Sequence, residues 1–215
     1  MTDGKQATNP LFQRTFQIKD QLECKALYKD WANTYDATMV GELAYLAPQT
    51  IASILSDRLA NKQASVLDLG CGTGLVGESL QSRGFAAIDG VDFSQEMLDV
   101  AKGKNIYRRL IQADLSVATD LPSQEYDAAI SAGLFTYGHL DAKCLDEVFR
   151  AIKPGGFFVS VIRRSIWEEY GFLDKFTDWE RDQQVKILSK ELADNYSNVN
   201  NNDGIYLVAL KLRSS

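Results

Sequence analysis

The stretch Val66-Leu-Asp-Leu-Gly-Cys-Gly-Thr-Gly-Leu-Val-Gly77 joins a short apolar run to a series of closely spaced glycines. The apolar run predicts a buried strand, and the glycines after it predict a sharp turn into a helix that begins near Leu75. Gly70, Gly72 and Gly74 remove three Cβ atoms from one small region, so a ligand can lie against the main chain there. The N-terminus of the following helix offers free N–H groups. This arrangement is typical of a turn that binds a nucleotide.

Strand and helix patterns alternate after this turn. Strands are predicted at 65–69, 85–91, 106–111, 126–130 and 157–162, with helices at 75–83, 94–102, 141–152 and 165–188 between and after them. This alternation predicts a mostly parallel sheet with right-handed crossovers. Two final strands, 192–196 and 205–212, flank the Asn- and Gly-rich loop 198–204 and predict a hairpin that places an antiparallel strand at one end of the sheet.

The first 60 residues are predicted to form a helical cover. Residues 1–10 are expected to be a loose tail, a helical pattern runs over 20–35, and Pro48 marks the start of a further helix. We expect one domain over 1–215, with this cover over 1–60 and an α/β core over 61–215. A secretory leader and a membrane-spanning run are not apparent in the sequence, so the cytoplasm is the expected location.

The composition and charge of the chain limit the kinds of partner that it is expected to bind. The 215 residues carry a net charge of −6, and Lys and Arg are not clustered as nucleic-acid binding requires. Cys24, Cys71 and Cys144 are odd in number and lack paired spacing, which predicts neither a disulfide nor a metal site and fits a reducing compartment. We therefore expect no nucleic acid, no membrane and no metal, and the oligomeric state stays open.

The glycine turn alone leaves the ligand class open. Residues 72–77 satisfy G-x-G-x-x-G, and Asp92 follows Gly74 by eighteen residues, near the spacing of a dinucleotide site. A nicotinamide-dependent (NAD) oxidoreductase is therefore one alternative. Asp68 weighs against it, because a carboxylate beside two phosphates is repulsive, whereas one beside an ammonium and a sulfonium group is favourable.

Five motifs carry a resemblance to a known family. They are Val66-Leu-Asp-Leu-Gly-Cys-Gly-Thr-Gly74, Gly90-Val-Asp-Phe-Ser94 with Met97-Leu98, Ala113-Asp-Leu115, Tyr126-Asp-Ala-Ala-Ile130 and Lys153-Pro-Gly-Gly156. In order and spacing, over residues 66–163, they resemble the class I S-adenosylmethionine-dependent methyltransferases. The segment Leu27-Tyr-Lys-Asp-Trp-Ala-Asn-Thr-Tyr-Asp36 is similar to one subgroup, the Williams–Beuren syndrome chromosome region methyltransferase-like proteins and their bacterial relatives.

This resemblance implies a fold, a cofactor and a set of site residues. The implied fold is Rossmann-like, with seven strands in the order 3-2-1-4-5-7-6, strand 7 antiparallel and helices on both faces of the sheet. The implied cofactor is S-adenosyl-L-methionine, with S-adenosyl-L-homocysteine as product. The expected cofactor-binding residues are Tyr28, Trp31, Tyr35, Asp68, Gly70, Cys71, Gly72, Gly74, Asp92, Phe93, Met97, Asp114, Leu115 and Ser131.

The resemblance also implies a role for most of these residues. Asp68 and the backbone from Gly70 to Gly74 are expected to hold the methionyl end, and Asp92 to accept both ribose hydroxyls. Asp89 is a rival for the ribose. Phe93 and Met97 are expected to form apolar walls for adenine, with Asp114 accepting from its amine and Ser131 near the methionyl group. For Tyr28, Trp31 and Tyr35, whose spacing places them on one helical face, the competing interpretation is core packing.

Two residues are candidates for proton transfer. His139 is the only histidine, and its ordinary pKa near ~6.5 suits a general base, although a solvated or capping histidine is the simpler interpretation. Tyr137 is the second candidate for the general base. Trp167, Tyr170, Phe172 and Phe176 either line a substrate pocket or belong to the core.

The function expected from these residues is methyl transfer to a small-molecule O, N or S acceptor. Two alternatives are kept besides the dinucleotide enzyme. One is a non-catalytic regulatory or interaction protein that binds the same cofactor. The other is a protein or RNA methyltransferase, which is disfavoured because Ser131-Ala-Gly-Leu134 stands where Asn-Pro-Pro-Tyr would be expected.

Overall fold

The N-terminal cover is helical. The computed structural model describes residues 9–18, 20–198 and 202–212. The cover contains α1 (Pro10–Thr15), α2 (Gln21–Trp31), a π-helical turn (Ala37–Glu42) and α3 (Ala47–Arg58). Residues 1–8 of the predicted tail lie outside the described residues. At the tail's end the prediction is wrong, because the Asn9 side chain accepts hydrogen bonds from two N–H groups of α1 and Pro10 opens the helix.

The core alternates strands and helices as predicted. Its elements are β1 (Val66–Leu69), α4 (Leu75–Gln81), β2 (Ile88–Asp92), α5 (Gln95–Gly103), β3 (Arg109–Gln112), β4 (Tyr126–Phe135), α6 (Leu145–Ala151), β5 (Ile152–Arg163), α7 (Phe172–Arg181), β6 (Val185–Ala193) and β7 (Gly204–Lys211). The strands form one seven-stranded sheet in the order β3-β2-β1-β4-β5-β7-β6, which confirms the expected topology.

The strand β7 is antiparallel to the other six strands of the sheet. It pairs antiparallel with both β5 and β6, whereas β1 to β5 pair in parallel. The predicted hairpin and the antiparallel β7 are confirmed. The sheet end itself is β6, so the antiparallel strand lies second from the edge rather than at it. No described helix has the length and apolar character needed to cross a lipid bilayer.

Side chains of β1 show how the sheet is buried on both faces. Leu67 and Leu69 pack in a core with Leu145 of α6 and Phe176 of α7. Val66 points to the opposite face, where α3 and α4 cover the sheet. All four residues of β1 are buried, so its carboxyl end, where the glycine turn begins, is fixed from both sides.

The predicted helix over 165–188 is wrong over most of its length. A short 3₁₀ turn over Arg164–Ile166 comes first, and α7 begins only after Gly171, whose φ of +77° is left-handed. Gln183, which lies between α7 and β6, has a left-handed φ of +54°, and β6 begins two residues after it. The outer strand β6 has neither face fully buried, so its sequence lacks the alternation that identifies a strand.

Other boundaries moved by a few residues. β2 and β3 each begin three residues later than predicted, at Ile88 and Arg109. The predicted helix over 141–152 begins with a 3₁₀ turn over Ala142–Cys144 and ends at Ala151. Of the predicted strand 192–196, only the first two residues belong to β6, although Tyr196 makes an isolated antiparallel bridge with Tyr45. Residues 199–201 of the predicted loop lie outside the described part of the chain.

Candidate functional site

Two adjoining cavities lie at the carboxyl ends of β1, β2 and β4, where open α/β sheets bind ligands, and they share the wall residues Gly70, Asp92, Phe93, Leu134 and His139. We treat them together as the glycine-turn cavity. It is lined by Cys24, Lys25, Tyr28, Tyr35, Gly70, Gly72, Asp92, Phe93, Met97, Ala113, Asp114, Leu115, Ala132, Gly133, Leu134, His139 and Leu140. Nine of the predicted cofactor-binding residues are on this wall: Tyr28, Tyr35, Gly70, Gly72, Asp92, Phe93, Met97, Asp114 and Leu115.

Gly70 begins the turn after β1. Its φ is +61°, and a Cβ atom there would lie 2.9 Å from Cδ1 of Leu134. The position therefore requires glycine both for its backbone conformation and for close packing against the β4 segment. Gly74, at φ +98°, is the N-cap of α4, but a Cβ there would meet the Tyr107 ring at 3.2 Å. The missing Cβ of Gly74 therefore allows the turn to pack against Tyr107, and Gly74 is not on the cavity wall.

Asp92 ends β2 and faces the cavity. Its Oδ2 accepts a hydrogen bond of 2.9 Å from the Gly72 N–H, and its Oδ1 accepts one of 2.8 Å from the Ser94 N–H. Each carboxylate oxygen has a further lone pair, so two more donors can be accepted. Burial raises the pKa of Asp92 above its ordinary value, and the backbone donors oppose that effect.

Asp89, the rival of Asp92, is engaged elsewhere. Its side chain is fully buried and accepts hydrogen bonds from the guanidinium groups of Arg108 and Arg109, the shortest at 2.7 Å from Arg109 Nη2. The Tyr126 hydroxyl donates to the same carboxylate at 3.2 Å. Asp89 is absent from the glycine-turn cavity wall, and its charge is compensated by two arginines. Asp92 is the acid of this pair that can meet a ligand.

Asp68 lies behind the turn in a fully buried position. Its Oδ2 accepts a hydrogen bond of 2.6 Å from the Tyr107 hydroxyl, and its Oδ1 has no hydrogen-bond partner among the described residues. Burial raises the pKa of this carboxyl to about 7, while the bond from Tyr107 acts in the opposite direction. A buried oxygen without a partner is costly unless a ligand or water supplies the missing donor.

Asp114 connects the cavity to the cover. Its Oδ1 accepts from the Ser116 N–H at 3.0 Å and hydroxyl at 2.6 Å, and its Oδ2 lies 3.5 Å from Lys25 Nζ of α2. Although partial burial opposes the effect, these contacts hold the pKa of Asp114 below its ordinary value. Asp114 is therefore ionised at neutral pH and helps to hold α2 over the cavity.

Another cavity adjoins the glycine-turn cavity beneath the cover. We call it the tyrosine cavity, because its wall includes Tyr28, Tyr35, Tyr45 and Tyr196; the other lining residues are Phe12, Thr15, Phe16, Trp31, Met39, Gly133, Phe135, Thr136, Val161, Arg163 and Asn195. Counted together with the solvent at its open mouth, its space is about 620 Å³. Tyr28, Tyr35 and Gly133 line both cavities.

The two cavities meet at an irregularity of β4. Its pairing with β5 shifts register between Ser131 and Phe135, and Gly133 within this segment has a φ of +86°. A Cβ atom at Gly133 would lie 3.4 Å from the Tyr45 hydroxyl. The Ser131 hydroxyl points away from the cavities and donates to the Leu69 carbonyl at 2.9 Å. Ser131 therefore anchors β4 to β1.

His139 contacts Tyr28 across the glycine-turn cavity. Its Nδ1 lies 2.8 Å from the Tyr137 carbonyl oxygen, and its Nε2 lies 3.2 Å from the Tyr28 hydroxyl. Because a carbonyl can only accept, the hydrogen of the neutral ring is assigned to Nδ1, and Nε2 accepts from Tyr28. Burial lowers the pKa of His139, which favours this neutral form.

The remaining predicted residues lie outside the glycine-turn cavity. Trp31 lines only the tyrosine cavity, and Asp68, Cys71, Gly74 and Ser131 are on neither wall. Tyr137 is on neither wall as well, because its ring lies over the Arg163 guanidinium, 5.4 Å from centroid to carbon. Trp167, Phe172 and Phe176 stack in the core, and Tyr170 packs against it.

Several wall residues were not predicted from the sequence. Cys24 and Lys25 sit on the α2 turn before Tyr28, and the spacing of three from Lys25 to Tyr28 was an available signal. Tyr45, Tyr196 and Arg163 come together through the bridge between Tyr45 and Tyr196 and the end of β5. These residues are far apart in the chain, and a single sequence carries no signal for that contact.

The comparisons with known proteins agree with this geometry. A family model described as a methyltransferase domain matches residues 66–156. The chain is 35% identical to human methyltransferase-like protein 27 over 143 residues, which cover 65% of this chain and 57% of the relative. Residues 66–156 are a methyltransferase domain, and these matches support a class I S-adenosylmethionine-dependent methyltransferase. The matched residues run from β1 to the start of β5 and include the whole glycine turn.

Other relatives support the same assignment. A demethylmenaquinone methyltransferase of Leptospira interrogans is 36% identical over 104 residues, covering 45% of this chain and 41% of the relative. The chain thus spans less than two thirds of either curated methyltransferase. The fold matches a TehB-like methyltransferase structure from Corynebacterium glutamicum with a TM-score of 0.62 at 23% identity, covering 86% of this chain and 98% of that one.

The residues of this methyltransferase domain fit its cofactor, S-adenosylmethionine. The cofactor presents a ribose diol, and Asp92 offers one spare acceptor site on each carboxylate oxygen. It also carries an ammonium group, and the Asp68 Oδ1 is a buried acceptor without a partner among the described residues. Gly72 is also on the cavity wall, and a Cβ there would meet only the Gly70 carbonyl oxygen at 4.0 Å, so the main chain of the turn is open to a ligand. Each feature matches a group that the cofactor contains.

Proposed function

We propose that this chain transfers a methyl group from S-adenosylmethionine to a small-molecule acceptor at an O, N or S atom. One observation carries the proposal: the glycine-turn cavity and the tyrosine cavity share Tyr28, Tyr35 and Gly133 as walls. A donor in the first cavity and an acceptor in the second would therefore meet at these residues. Holding two reactants in contact is the main requirement of a displacement at an already activated carbon.

The proposal assigns the cofactor to residues of the glycine-turn cavity. Asp92 would accept from the ribose hydroxyls, and Phe93 with Met97 would pack on the adenine. Asp114, whose Oδ1 and Oδ2 already meet Ser116 and Lys25, would accept from the exocyclic amine. Asp68 would act from behind the turn by providing negative charge near the ammonium group. Cys71, Gly74 and Ser131 would act through the shape of the turn and of β4.

When bound, the cofactor supplies a methyl group activated by a positively charged sulfur. The chain contributes alignment and exclusion of water. Trp31, only 1% exposed, and Tyr35 pack edge to face with ring centroids 4.9 Å apart, and together they cover the junction from the side of the cover. The Lys25 contact with Asp114 holds α2 above it.

Tyr28 and His139 are the groups that would manage a proton. Tyr28 lines both cavities, whereas His139 lines only the first, so an acceptor in the tyrosine cavity would meet the Tyr28 hydroxyl before the imidazole. Because His139 Nε2 accepts from that hydroxyl, a proton taken up by Tyr28 can be passed to Nε2. Tyr137 would contribute only its carbonyl oxygen, which holds the imidazole through Nδ1.

A small-molecule acceptor is supported by the position of the tyrosine cavity beside the glycine-turn cavity and by a relative named for methylating demethylmenaquinone. The predictions that the chain binds neither nucleic acid nor membrane, uses no metal and acts in the cytoplasm rest on the sequence alone. The dinucleotide alternative loses its support, because the matched family and the relatives are methyltransferases.

Two observations favour the non-catalytic alternative. The His139 Nε2 is already occupied by Tyr28, and the cover is tied to the core by Lys25 and by Lys29, whose Nζ lies 3.5 Å from Glu96 Oε1. A protein that only senses the cofactor would need a closed cover and no free base. Binding without transfer is the outcome that this alternative predicts.

Methyl transfer from labelled S-adenosylmethionine into fractionated metabolite extracts tests the proposal. The expected result is label in a small molecule with the wild-type protein and much less label with Asp92→Ala at a cofactor concentration near the wild-type dissociation constant. Cofactor binding without label in any fraction would instead favour the non-catalytic alternative. A matched control is Asp99→Ala, because Asp99 is exposed on α5 and lines neither cavity.

A further inference from the structure

The tyrosine cavity offers hydrogen-bond donors on aromatic walls. The hydroxyl groups of Tyr35, Tyr45 and Tyr196 have no hydrogen-bond partner among the described residues, and none of them is a fully enclosed atom. The rings of Tyr45 and Tyr196 stack with centroids 5.1 Å apart and an interplanar angle of 28°, which gives the cavity a flat wall. A ligand with a planar ring and oxygen acceptors matches both features.

These phenols donate rather than ionise. Burial raises the pKa of Tyr35, Tyr45 and Tyr196 well above the ordinary value of a tyrosine. They therefore stay neutral at physiological pH and present O–H groups to the cavity. A ligand that needs an anionic partner would find none in them.

Arg163 is the one charged side chain among the described residues of this wall. Its Nε donates to Asp203, its Nη1 donates to the Thr136 hydroxyl at 3.2 Å, and its guanidinium lies 4.7 Å from the Phe16 ring centroid. Its Nη2 has no hydrogen-bond partner among the described residues. The side chain is thus fixed in place with one donor nitrogen left for a ligand.

Because of the position of Arg163, a charged group of the acceptor would bind at one part of the site and the methyl group would be transferred at another. Tyr28, Tyr35 and Gly133 line both cavities, whereas Arg163 lines only the tyrosine cavity. An anionic group held by Arg163 is therefore away from the junction. The atom that receives the methyl must be a different substituent, one that reaches Tyr28.

We propose that the tyrosine cavity binds an aromatic acceptor that carries a carboxylate, with the carboxylate on Arg163 and a second polar substituent directed to Tyr28. This inference rests on the proposed function and adds the substrate class to it. A single guanidinium edge among neutral phenols suits one negative charge. Asp203 already pairs with Nε of Arg163, so the ligand carboxylate would be held by the remaining Nη2 donor together with the neutral phenols.

The test uses the full chain saturated with S-adenosylhomocysteine and titrated calorimetrically with 2-, 3- and 4-hydroxybenzoate and the three matching hydroxybenzamides. The amides keep the ring and the hydroxyl group but lack the charge. At least one hydroxybenzoate is expected to bind about tenfold or more tightly than its amide, the size of one charge-assisted hydrogen bond. Equal affinities, or no binding by any hydroxybenzoate, would overturn the proposal.

Two variants of Arg163 test whether this residue causes the preference for the acid over the amide. Arg163→Gln should remove the difference between acid and amide, and Arg163→Lys should keep part of it. If Arg163→Gln retained the full preference, the charge would be recognised elsewhere and the proposal would be wrong. Arg181→Gln is the matched control, because Arg181 is exposed on α7 and pairs only with Asp178 and Asp182 among the described residues.

Folding and cofactor binding are checked separately. Because Arg163 is held by Asp203, each variant is first titrated with S-adenosylhomocysteine alone, and an unchanged affinity shows an intact core. Tyr196→Phe keeps the aromatic wall and the ion pair, and should weaken hydroxybenzoate binding about threefold by removing one donor. Methyl transfer to an uncharged acceptor would contradict this inference and leave the proposed function standing, whereas failure to bind S-adenosylhomocysteine would contradict the proposed function itself.

Discussion

The Gly72 main-chain N–H donates a 2.9 Å hydrogen bond to Oδ2 of Asp92, twenty residues later in the chain. This bond joins the turn after β1 to the end of β2, the two places where the sequence predicts ligand contacts. It fixes the turn and aims the carboxylate with one contact. Because Oδ1 is held in the same way by Ser94, the carboxylate cannot rotate freely, and it is fixed in its place on the cavity wall.

Replacement of Gly70 by alanine should damage both the turn and the cavity. The backbone is left-handed at φ +61°, and the added Cβ would lie 2.9 Å from Leu134 Cδ1. We expect a loss of about 1–3 kcal/mol in the free energy of unfolding, measured with urea, and weaker binding of S-adenosylhomocysteine. Gly103→Ala is the control, because a Cβ there meets nothing within 4 Å and should leave both quantities unchanged or slightly improved. Equal behaviour of the two variants would contradict the role assigned to the turn.

Asp68 should make the stability of the protein fall as the pH rises. Its folded pKa of about 7 is raised from 3.8, so the protonated carboxyl favours the folded state and that advantage is lost between pH 4 and pH 7. Asp68→Asn cannot ionise and should lack this loss. Between pH 5 and pH 8, the free energy of unfolding in urea should fall by roughly 3 kcal/mol more for the wild type than for the variant. Parallel pH profiles would show that Asp68 does not titrate in this range.

Tyr28 and His139 should act as a pair in methyl transfer. Tyr28→Phe and His139→Ala are each expected to slow transfer to an oxygen acceptor by about tenfold or more and to change S-adenosylhomocysteine affinity by less than about twofold. Because one hydrogen bond links the two groups, the double variant should be no slower than the worse single variant. Additive losses would mean that they work independently.

The same pair predicts a pH dependence. Since burial lowers the pKa of His139, the imidazole should become protonated, and the wild-type rate should fall, only at a lower pH than for an exposed histidine, so the loss of rate between pH 8 and pH 6.5 should be smaller than an ordinary histidine would give. A rate that follows an ordinary histidine titration in that interval would argue against the buried, neutral ring. A single-turnover assay with labelled cofactor separates this chemical step from product release.

Local sequence patterns were sufficient to predict the elements around the glycine-turn cavity. The apolar run of β1, the glycines after it and the Ser94 cap of α5 each have a short-range cause, and each forms where the sequence predicts it. The strand order followed from the family resemblance, because pairing between distant strands leaves little trace in a single sequence. Asp92 was placed correctly at the end of β2, and Asp89 was excluded only by its contacts with Arg108 and Arg109.

The acceptor side of the site depends on contacts that no local pattern reveals. Tyr45 and Tyr196 meet through a bridge across 151 positions of the chain, and Arg163 reaches the same cavity from the end of β5. The helix expected over 165–188 was wrong because the exposed β6 has a mixed polar pattern. Asp68 was expected to hold the methionyl end of the cofactor, and this role stays a prediction. The bond of its Oδ2 with Tyr107 left no signal in the sequence, because the position of Tyr107 depends on the packing of Gly74 and Gly77.

The most direct test of the account is calorimetric titration of S-adenosylhomocysteine into the wild-type protein, Asp92→Ala and the control Asp99→Ala. We predict micromolar binding by the wild type and by Asp99→Ala, and at least about tenfold weaker binding by Asp92→Ala, because two ribose hydroxyls lose a charged acceptor. An absence of detectable binding by the wild type, or equal affinity in all three proteins, would contradict the assignment of the glycine-turn cavity to the cofactor.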